Sequence, residues 1–368
     1  MTINRFFKKY DFSITLALIL LPLISVMGVP LYVYYNGIVW QEPFMLLTGW
    51  FLSGLGITMG YHRLFAHRSF KAKPFLEWML MLFGSMALQN TITKWCSDHR
   101  KHHKSLDTDE DPYSIKKGFF HAHIGWVLKK GENDIKNVSD LNKKSAIKFQ
   151  NKYYWSVAIF LSFLMPVLIG LLYNRPIGGL LWGGILRLTL VHHFTFFINS
   201  LCHYLGKKDY EFDTTARDSW ITAIFTFGEG YHNYHHRFQW DYRNGIKWYN
   251  FDPSKWIIKF LSVFKLTYSL KKVSKQNILK AKIKTLNRKI QSLSFNNMYL
   301  DKIQVITDNA MRDLELWRKL EFKYKSLKKI DFNKNKSQFY EKRIKLYDSK
   351  IRESLNDLML ILLELKKS

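Results

Sequence analysis

Cysteine is almost absent from this 368-residue chain, and its two cysteines lie far apart. Cys96 and Cys202 form neither a Cys-x-x-Cys pair nor a disulfide framework, which excludes thiolate zinc sites and iron–sulfur clusters. The sequence also lacks a haem-binding His-Pro-Gly-Gly element and a Gly-x-Gly-x-x-Gly motif after a strand. The sequence therefore contains no recognisable electron-transfer motif.

Acidic residues are scarce beside basic ones, with 29 Asp and Glu against 56 Lys and Arg and a net charge of +27. An excess of this size is typical of nucleic-acid-binding proteins. Here it is spread along the chain: residues 271–368 carry 25 basic and 11 acidic residues, and the first 270 carry the other 31 and 18. Because the excess of basic residues is shared by both parts and is not concentrated in one of them, we expect no nucleic-acid partner.

Hydrophobic residues make up 47% of the chain and collect in four long runs. Such runs, as helices, cross a hydrocarbon core of roughly 30 Å. The runs are residues 13–35, 44–60, 155–173 and 177–201. Only 36–43 joins the first two and only 174–176 joins the last two, so the runs are predicted to form two helical hairpins in a lipid membrane.

Basic residues indicate which side of the membrane each hairpin faces. The N-terminus and residues 63–152 are rich in Lys and Arg, whereas the two short connections contain only Arg175. By the positive-inside rule, both termini and the central segment face the cytoplasm, in a bacterial inner membrane or an endoplasmic reticulum. The shorter apolar segments 74–90, 220–228 and 256–268 are predicted to be re-entrant or interfacial.

Most of the thirteen histidines occur in clusters near the ends of these runs. Residues three or four apart share a face of an α-helix, so each trio is predicted to point at a single site. The trios are His99, His102 and His103, and His232, His235 and His236. Asn199 and His203 are four apart and share a face likewise. His62 and His67 are five apart, about 140° around an ideal helix, and are expected where a helix ends or unwinds.

Three such clusters on one membrane side favour a metal centre over a basic helix face. Neutral imidazole suits iron, copper and zinc, and nine candidate nitrogens exceed what one four-coordinate zinc uses. We therefore expect two metals, with iron performing oxygen chemistry on an apolar substrate. The alternatives are a zinc hydrolase and a metal transporter, but a transporter should place ligands near the bilayer midplane, where only Arg187, His192 and His193 lie.

Four segments of the sequence resemble motifs of the membrane-bound fatty-acid desaturases, and most closely those of the acyl-CoA (stearoyl-CoA) Δ9 desaturases. The segments are GYHRLFAHR at residues 60–68, DHRKHHK at 98–104, NSLCH at 199–203 and GEGYHNYHH at 228–236. The resemblance covers about residues 10–270. It implies an oxidoreductase that uses O2 to introduce a cis double bond, near carbon nine, into a saturated fatty acyl chain, with acyl-CoA as the expected substrate.

The resemblance also implies a di-iron centre (Fe2+/Fe3+) held by nine histidines, which Asn199 would complete through a bound water. The nine are His62, His67, His99, His102, His103, His203, His232, His235 and His236. Four other histidines match no ligand motif and are expected to be packing or loop residues; they are His121, His123, His192 and His193. The electrons are expected from an external carrier such as cytochrome b5 or ferredoxin.

Carboxylates beside the histidine boxes are candidates to orient the imidazole rings. Neutral histidine ligands leave iron electrophilic, and carboxylates behind them can fix each ring's tautomer. Asp98 and Glu229 lie in or beside the boxes and are the candidates for that role. The alternative for both is a solvated or capping carboxylate.

Residues that contact the substrate are predicted from the resemblance and from charge. The resemblance implies that Trp50, Gly54 and Trp126 line a dry, bent acyl tunnel, with ordinary helix packing as the alternative for Trp50. Basic residues either bind CoA phosphates or serve the positive-inside pattern. They are Arg100, Lys101, Lys129 and Lys130.

Rival functions stay open at this point. A membrane di-iron fatty-acid hydroxylase uses similar histidines but returns oxygen to carbon. A desaturase that acts on an acyl-lipid or on acyl carrier protein also presents phosphates to a basic surface. A non-enzymatic metal-binding membrane protein or transporter is the rival from another class.

Beyond about residue 270 the resemblance stops, and the chain is divided into a desaturase domain, 1–270, and a basic helical extension, 271–368. In the extension Leu279, Ile283, Leu286, Ile290 and Leu293 form a heptad stripe on one helix. Two more helices are predicted near 299–329 and 336–366, separated at 331–334. These helices pack on themselves, on a partner or against anionic lipid.

The predicted fold is all-α. It has four transmembrane helices in two hairpins, a cytoplasmic histidine-rich helical cap and a coiled-coil-like C-terminal extension.

Overall fold

The computed structural model of the protein describes residues 10–130, 135–293, 297–330 and 334–367. The chain forms two compact units. One comprises the described residues of Met1–Gly206 and Thr215–Lys272, and the other comprises those of Lys207–Thr214 and Val273–Ser368. Every residue predicted to bind metal or substrate belongs to the first unit.

The first unit is built of helices joined by irregular segments. In chain order they are α1 Phe12–Asn36, α2 Gln41–Ala66, α3 Pro74–Ser85, α4 Ile92–Lys104, α5 Ser145–Leu171, α6 Pro176–Tyr204, α7 Trp220–Phe225, α8 His232–Arg237 and α9 Pro253–Val263. Shorter helical turns lie at Ile115–Lys117, His121–Gly125 and Trp126–Leu128. A minimal antiparallel sheet pairs β1, Lys71–Ala72, with β2, Thr267–Tyr268. The predicted all-α class is confirmed apart from this sheet.

Four of these helices, α1, α2, α5 and α6, are long and apolar enough to cross a membrane, counted over the residues described. They contain the predicted runs, except that the third helix ends at Leu171, two residues before the end of its run, and they confirm the two hairpins. The third run begins ten residues earlier than expected, at Ser145. One face of this extension packs on protein, where the buried Gln150 accepts from the Ile92 N–H at 2.8 Å and donates to Ser85 Oγ at 2.8 Å. Helix α3 has only 12 residues and is too short to span.

An ion pair ties the turns of the two hairpins together. The Arg175 guanidinium donates to Glu42 Oε1 at 2.9 Å and to the carbonyls of Asn36 and Gly37, and Tyr32 donates to the same carboxylate. Glu42 is fully buried. Both turns therefore lie on one side of the spans, and the opposite ends of all four helices lie together on the other side.

The C-terminal end of α3 is buried among the spans, where its carbonyls need donors. Arg187 Nη1 donates to the Met86 carbonyl at 2.8 Å, and Ser162 Oγ donates to it at 3.0 Å. His192 Nε2 lies 2.8 Å from the Ala87 carbonyl. A cation at a helix C-terminus is favoured by the helix dipole. This contact explains a fully buried arginine for which the residues described supply no carboxylate partner.

The second unit contains three long helices, α10 Lys275–Gln291, α11 Asn297–Ile330 and α12 Lys334–Leu365, among the residues described. They bury a common apolar core that includes Ile283, Ile290, Trp317 and Leu358. The predicted heptad stripe is confirmed except at Leu293. The helix ends at Gln291, so Leu293 falls outside it and is 41% exposed. The predicted break at 331–334 lies, for residues 331–333, outside the described part of the chain.

We expect Arg187→Met to destabilise the protein. The substitution removes the Arg187 donor from the buried Met86 carbonyl, which is then bonded by Ser162 alone, at a cost of about 1–3 kcal/mol. The melting temperature in detergent should fall by about 5 °C. Arg343→Met, at an exposed arginine of α12, is the matched control and should melt like the wild type. Equal melting temperatures for the two variants would contradict the capping role of Arg187.

Candidate metal centre

The end of α2 is a widened helix that carries the first two histidines. Residues Gly56–Ala66 form a π-helix, and the His67 N–H donates to the His62 carbonyl at 3.0 Å. A π-helix pairs residues five apart, so it brings side chains at this spacing to the same face. The two rings accordingly lie 4.7 Å apart. The expectation that this pair sits at a helix end is confirmed, and the π-helical turn is the reason that both rings face one site.

The two histidine trios lie on short helices, α4 and α8. Each trio divides between two sites, so the prediction that each would point at a single site is wrong. On α4, His99 and His103 face one site and His102 faces the other. On α8 the division is reversed. Successive residues are 100° apart around a helix, so neighbouring rings such as His102 and His103 diverge enough to serve two sites.

All nine predicted histidines come together in two groups. In each group one ligand atom per residue lies within 4.8 Å of all the others. Group A consists of His62, His67, His99, His103 and His235. Group B consists of His102, His203, His232 and His236. The groups adjoin each other, since the rings of His103 and His236 stack at 4.4 Å.

Acceptors behind the rings fix the direction of the inward nitrogens. His62 Nδ1 lies 2.8 Å from Glu229 Oε2, and His102 Nδ1 lies 2.8 Å from Asp111 Oδ1. A carboxylate at Nδ1 holds the proton there and leaves Nε2 as a lone pair. These Nε2 atoms face other imidazole nitrogens, at 3.0 Å from His62 to His235. Lone pairs that face each other at this distance repel unless a proton or a cation lies between them.

Burial keeps six rings of the two groups neutral. Loss of solvation, followed by repulsion from neighbouring imidazoles, lowers the pKa of each well below its usual value. These residues are His67, His99, His103, His232, His235 and His236. Neutral imidazole is the form that binds metal, and a set of nitrogen donors without thiolates suits iron, copper or zinc. The residues present therefore fit two histidine-bound metal ions.

A buried network supports Glu229. Arg63 donates to Glu229 Oε1 from Nε at 3.1 Å and from Nη2 at 3.0 Å, and its Nη1 donates to Asp252 at 2.9 Å. Asn244 Nδ2 donates to Glu229 Oε2 at 2.7 Å. Burial alone raises the pKa of Glu229, but His62 and Arg63 lower it below its ordinary value. The carboxylate is thus ionised and oriented toward His62, as the sequence led us to expect for Glu229.

The other candidate carboxylate, Asp98, has a different partner. Its Oδ1 accepts from Lys94 at 2.7 Å, one turn earlier on α4. The carboxylate that meets a group B ring is Asp111, which the sequence analysis missed because it lies outside every histidine box. Asp111 also accepts from the backbone N–H groups of Asp107 and Tyr113. No local sequence pattern marks it.

Arg100 holds the turn between α2 and the first strand. It donates to the carbonyls of Phe65, Ala66 and Asn137 and makes a bidentate pair with Asp140 at 2.8 and 3.0 Å. These bonds use all five N–H groups of the guanidinium. The prediction that Arg100 binds CoA phosphate is therefore not supported by its contacts. Its role in the structure is to fix the backbone just before His67.

The remaining predicted substrate residues fall into three sets. Lys101, Lys129 and Lys130 have exposed side chains. Trp126 packs at 4.7 Å on Tyr113, whose ring lies 4.5 Å from His102. Trp50 contacts Phe194 and Phe227, and Gly54 faces the ring of Phe227, so these two lie along α2 on the membrane side of His62.

Asn199 is half-buried and ends the segment Arg187–Asn199 of α6, one turn before His203. His203 Nδ1 lies 2.7 Å from Thr215 Oγ1, and Thr215 in turn bonds Asp107. Thr215 thus orients the His203 ring through Nδ1, as Glu229 orients His62 and Asp111 orients His102. The role of Asn199 through a bound water stays a prediction.

The four histidines expected to be packing residues lie outside both groups. His121 Nε2 lies 3.1 Å from the Pro112 carbonyl. His123 lies between Ser200 Oγ, at 3.1 Å, and His193 Nδ1, at 3.0 Å. His192 meets the end of α3 as described above.

Comparison with known proteins agrees with this geometry. The sequence profile of the fatty acid desaturase family matches residues 38–262. The chain belongs to the fatty acid desaturase family. Family members that it resembles include the "Probable acyl-CoA desaturase" of Schizosaccharomyces pombe, 46% identical over 225 residues, which are 59% of this chain and 46% of that protein.

Two further members of the family match longer parts of the chain. "Acyl-CoA desaturase 1" of Saccharomyces cerevisiae is 37% identical over 316 residues, 83% of this chain and 60% of that protein. "Stearoyl-CoA desaturase 5" of Bos taurus is 36% identical over 258 residues, 66% of this chain and 76% of that protein. The chain thus spans about half the length of the two fungal desaturases.

Asp111→Asn should weaken metal binding at group B. An amide does not hold the His102 proton as a carboxylate does, and loss of such a partner costs about 10–100-fold in metal affinity. Ferrous-ion titration of purified protein, followed by elemental analysis, measures the change.

The matched control is Asp98→Asn, on α4 but bonded to Lys94 rather than to a histidine. It should bind ferrous ion as the wild type does. Unchanged affinity in Asp111→Asn, or an equal loss in Asp98→Asn, would contradict the orienting role of Asp111.

Proposed function

We propose that the protein is an O2-dependent acyl-CoA desaturase that introduces a cis double bond, at the Δ9 position, into a saturated fatty acyl chain. The observation that carries the proposal is the convergence of nine histidines, from four separated parts of the chain, in two adjoining groups. Membership of the fatty acid desaturase family and the names of the acyl-CoA desaturase relatives support the substrate class.

The two groups would hold two iron ions, group A through five imidazoles and group B through four, with Asn199 completing the set through a water. When bound, iron supplies the activation of O2: with two electrons and two protons, one O2 takes a hydrogen from each of two adjacent methylenes and leaves as two waters. The residues of the chain would orient the metal-binding rings and exclude water from the site. Glu229 and Asp111 hold two rings by Nδ1, and burial keeps six other rings neutral.

The acyl chain would lie in the apolar region between α2, α6 and α7. A small cavity in this region is lined by aromatic and aliphatic side chains and reaches Thr58, one turn before His62. Trp126, beside Tyr113 and His102, would contact the chain near the reacting carbons. Apolar walls exclude water from the reaction and leave the charged CoA group outside, where the exposed Lys101, Lys129 and Lys130 would meet its phosphates.

The electrons would come from an external one-electron carrier such as cytochrome b5 or ferredoxin. His67, His103 and His236 are the group members that keep partial exposure among the nine. Exposed basic residues such as Arg68 and Lys104 lie next to them in the sequence. A basic surface at this point suits an acidic carrier. The distribution of Lys and Arg supports a cytoplasmic active site with both termini on the same side.

Expression of the full chain in a desaturase-deficient host should restore monounsaturated fatty acids with the double bond at carbon nine, measured by gas chromatography–mass spectrometry. His235→Ala removes a group A ring and should abolish the product. His121→Ala, at a histidine outside both groups, is the matched control and should keep it. An unchanged fatty-acid profile from well-expressed wild type, or a hydroxylated product, would contradict the proposal.

A further inference from the structure

A small apolar cavity lies on the membrane side of the metal centre. Its volume is about 20 Å³, room for about one water and far too little for an acyl chain. The lining residues are Trp50, Gly54, Ile57, Thr58, Val191, Phe194, Thr195, Ile198, Phe225, Thr226 and Phe227. Since Thr58 is one turn before His62 and Trp50 is two turns further back, the cavity extends from the histidines toward the membrane interior.

One side chain occupies the groove that opens along α2 at this point. A Cβ placed on Gly54 would lie 2.6 Å from Cδ2 and from Cζ of Phe227, well inside van der Waals contact. The ring of Phe227 is also held by Trp50, at 4.9 Å between centroids, and by Phe51, at 5.7 Å. Phe227 is 4% exposed. The space that Gly54 leaves is therefore filled by Phe227 from the loop after α7.

The backbone of Phe227 is held in an unusual conformation to achieve this. Its φ is +55°, in the left-handed region that bulky residues rarely adopt. The next residue is anchored by a hydrogen bond from the Gly228 N–H to the Ala223 carbonyl at 2.9 Å. Glu229, which orients His62, follows directly. Strain of this kind persists where surrounding structure imposes it, and here it aims an aromatic ring into the groove.

We propose that Phe227 closes the methyl end of the acyl channel and thereby sets the longest saturated chain that the protein accepts. The inference rests on the proposed function and adds a specificity-determining residue to it. An acyl chain that presents adjacent methylenes to the two histidine groups must place its remaining carbons in the apolar space beyond His62. At Gly54 that space meets the ring of Phe227, which fills the groove that no α2 side chain occupies.

The first test is Phe227→Ala in the full chain, expressed in a desaturase-deficient host fed palmitate, stearate or arachidate separately. Removal of the ring joins the cavity to the groove at Gly54. The ratio of stearate-derived to palmitate-derived monounsaturated product should rise about tenfold, the effect of a methylene or more of apolar room in a binding pocket. Phe227→Leu is a smaller change that disturbs folding less, and it should shift the ratio in the same direction by a smaller amount.

A second variant pair tests the contact itself. Gly54→Ala alone places a methyl against the ring of Phe227 and should reduce product from every chain. In the Phe227→Ala background the same methyl has room, so Gly54→Ala should be tolerated and should return the ratio toward the wild-type value. Independent effects of the two substitutions would overturn the proposed contact.

A binding readout is independent of turnover. The melting temperature of purified protein is measured with palmitoyl-, stearoyl- or arachidoyl-CoA. The longest chain that the protein accepts should give the largest rise in melting temperature. In Phe227→Ala the largest rise should occur with a longer chain. Phe238→Ala is the matched control, since Phe238 is a buried aromatic residue directly after α8 that packs on Tyr234 and does not line the cavity. It should leave both the ratio and the maximum unchanged.

The outcomes separate the two proposals. Wild-type protein that binds iron but forms no monounsaturated product would overturn the proposed function and this inference with it. An active wild type whose chain-length ratio is unchanged in Phe227→Ala and Phe227→Leu, or is shifted equally by Phe238→Ala, would overturn the role of Phe227 alone.

Discussion

Crowding of neutral imidazole rings in a buried space is the constraint on which the rest of the first unit depends. Nine rings bring their nitrogens into two adjoining groups, and inward lone pairs at about 3 Å repel each other. Two carboxylates and a hydroxyl lie behind three of the rings, those of His62, His102 and His203, and hold the protons on their outward nitrogens. Burial lowers the pKa of six of the rings and keeps them uncharged. The nine rings are thus arranged to bind cations between them, and the packing of the surrounding helices holds them close together despite this repulsion.

Buried charges elsewhere in the unit are arranged to serve this centre. Arg63 pairs with Glu229 and Asp252, so that Glu229 is ionised when it meets His62. Arg187 faces the carbonyl end of α3 instead of a carboxylate, and so ties α3 to α6. Both arginines are almost completely buried. Each acts by supplying donors to groups that would otherwise be buried without partners.

Much of this structure could be predicted because it depends on local or periodic features of the sequence. The four spans follow from length and hydropathy, and the nine histidines follow from their spacing and from the resemblance to a family. The helices of the second unit follow from a heptad stripe, although Leu293 lies beyond the end of its helix. These features need no knowledge of how distant segments meet.

The rest could not be predicted because it depends on tertiary contacts. The π-helical turn that aligns His62 with His67 has no signature in the residues between them. Asp111 and Thr215 reach His102 and His203 from segments without a motif, whereas Asp98, inside a box, points to Lys94. Spacing along one helix shows that neighbouring rings diverge, but which ring joins which group depends on the histidines that other segments bring to each group.

The most direct test of the account is the metal content and spectrum of wild-type protein loaded anaerobically with ⁵⁷Fe(II) and measured by elemental analysis and Mössbauer spectroscopy. The account predicts two iron ions per chain, one for each histidine group, with high-spin ferrous signals typical of nitrogen and oxygen ligands. Binding of a single iron per chain, or exclusive retention of zinc, would contradict it.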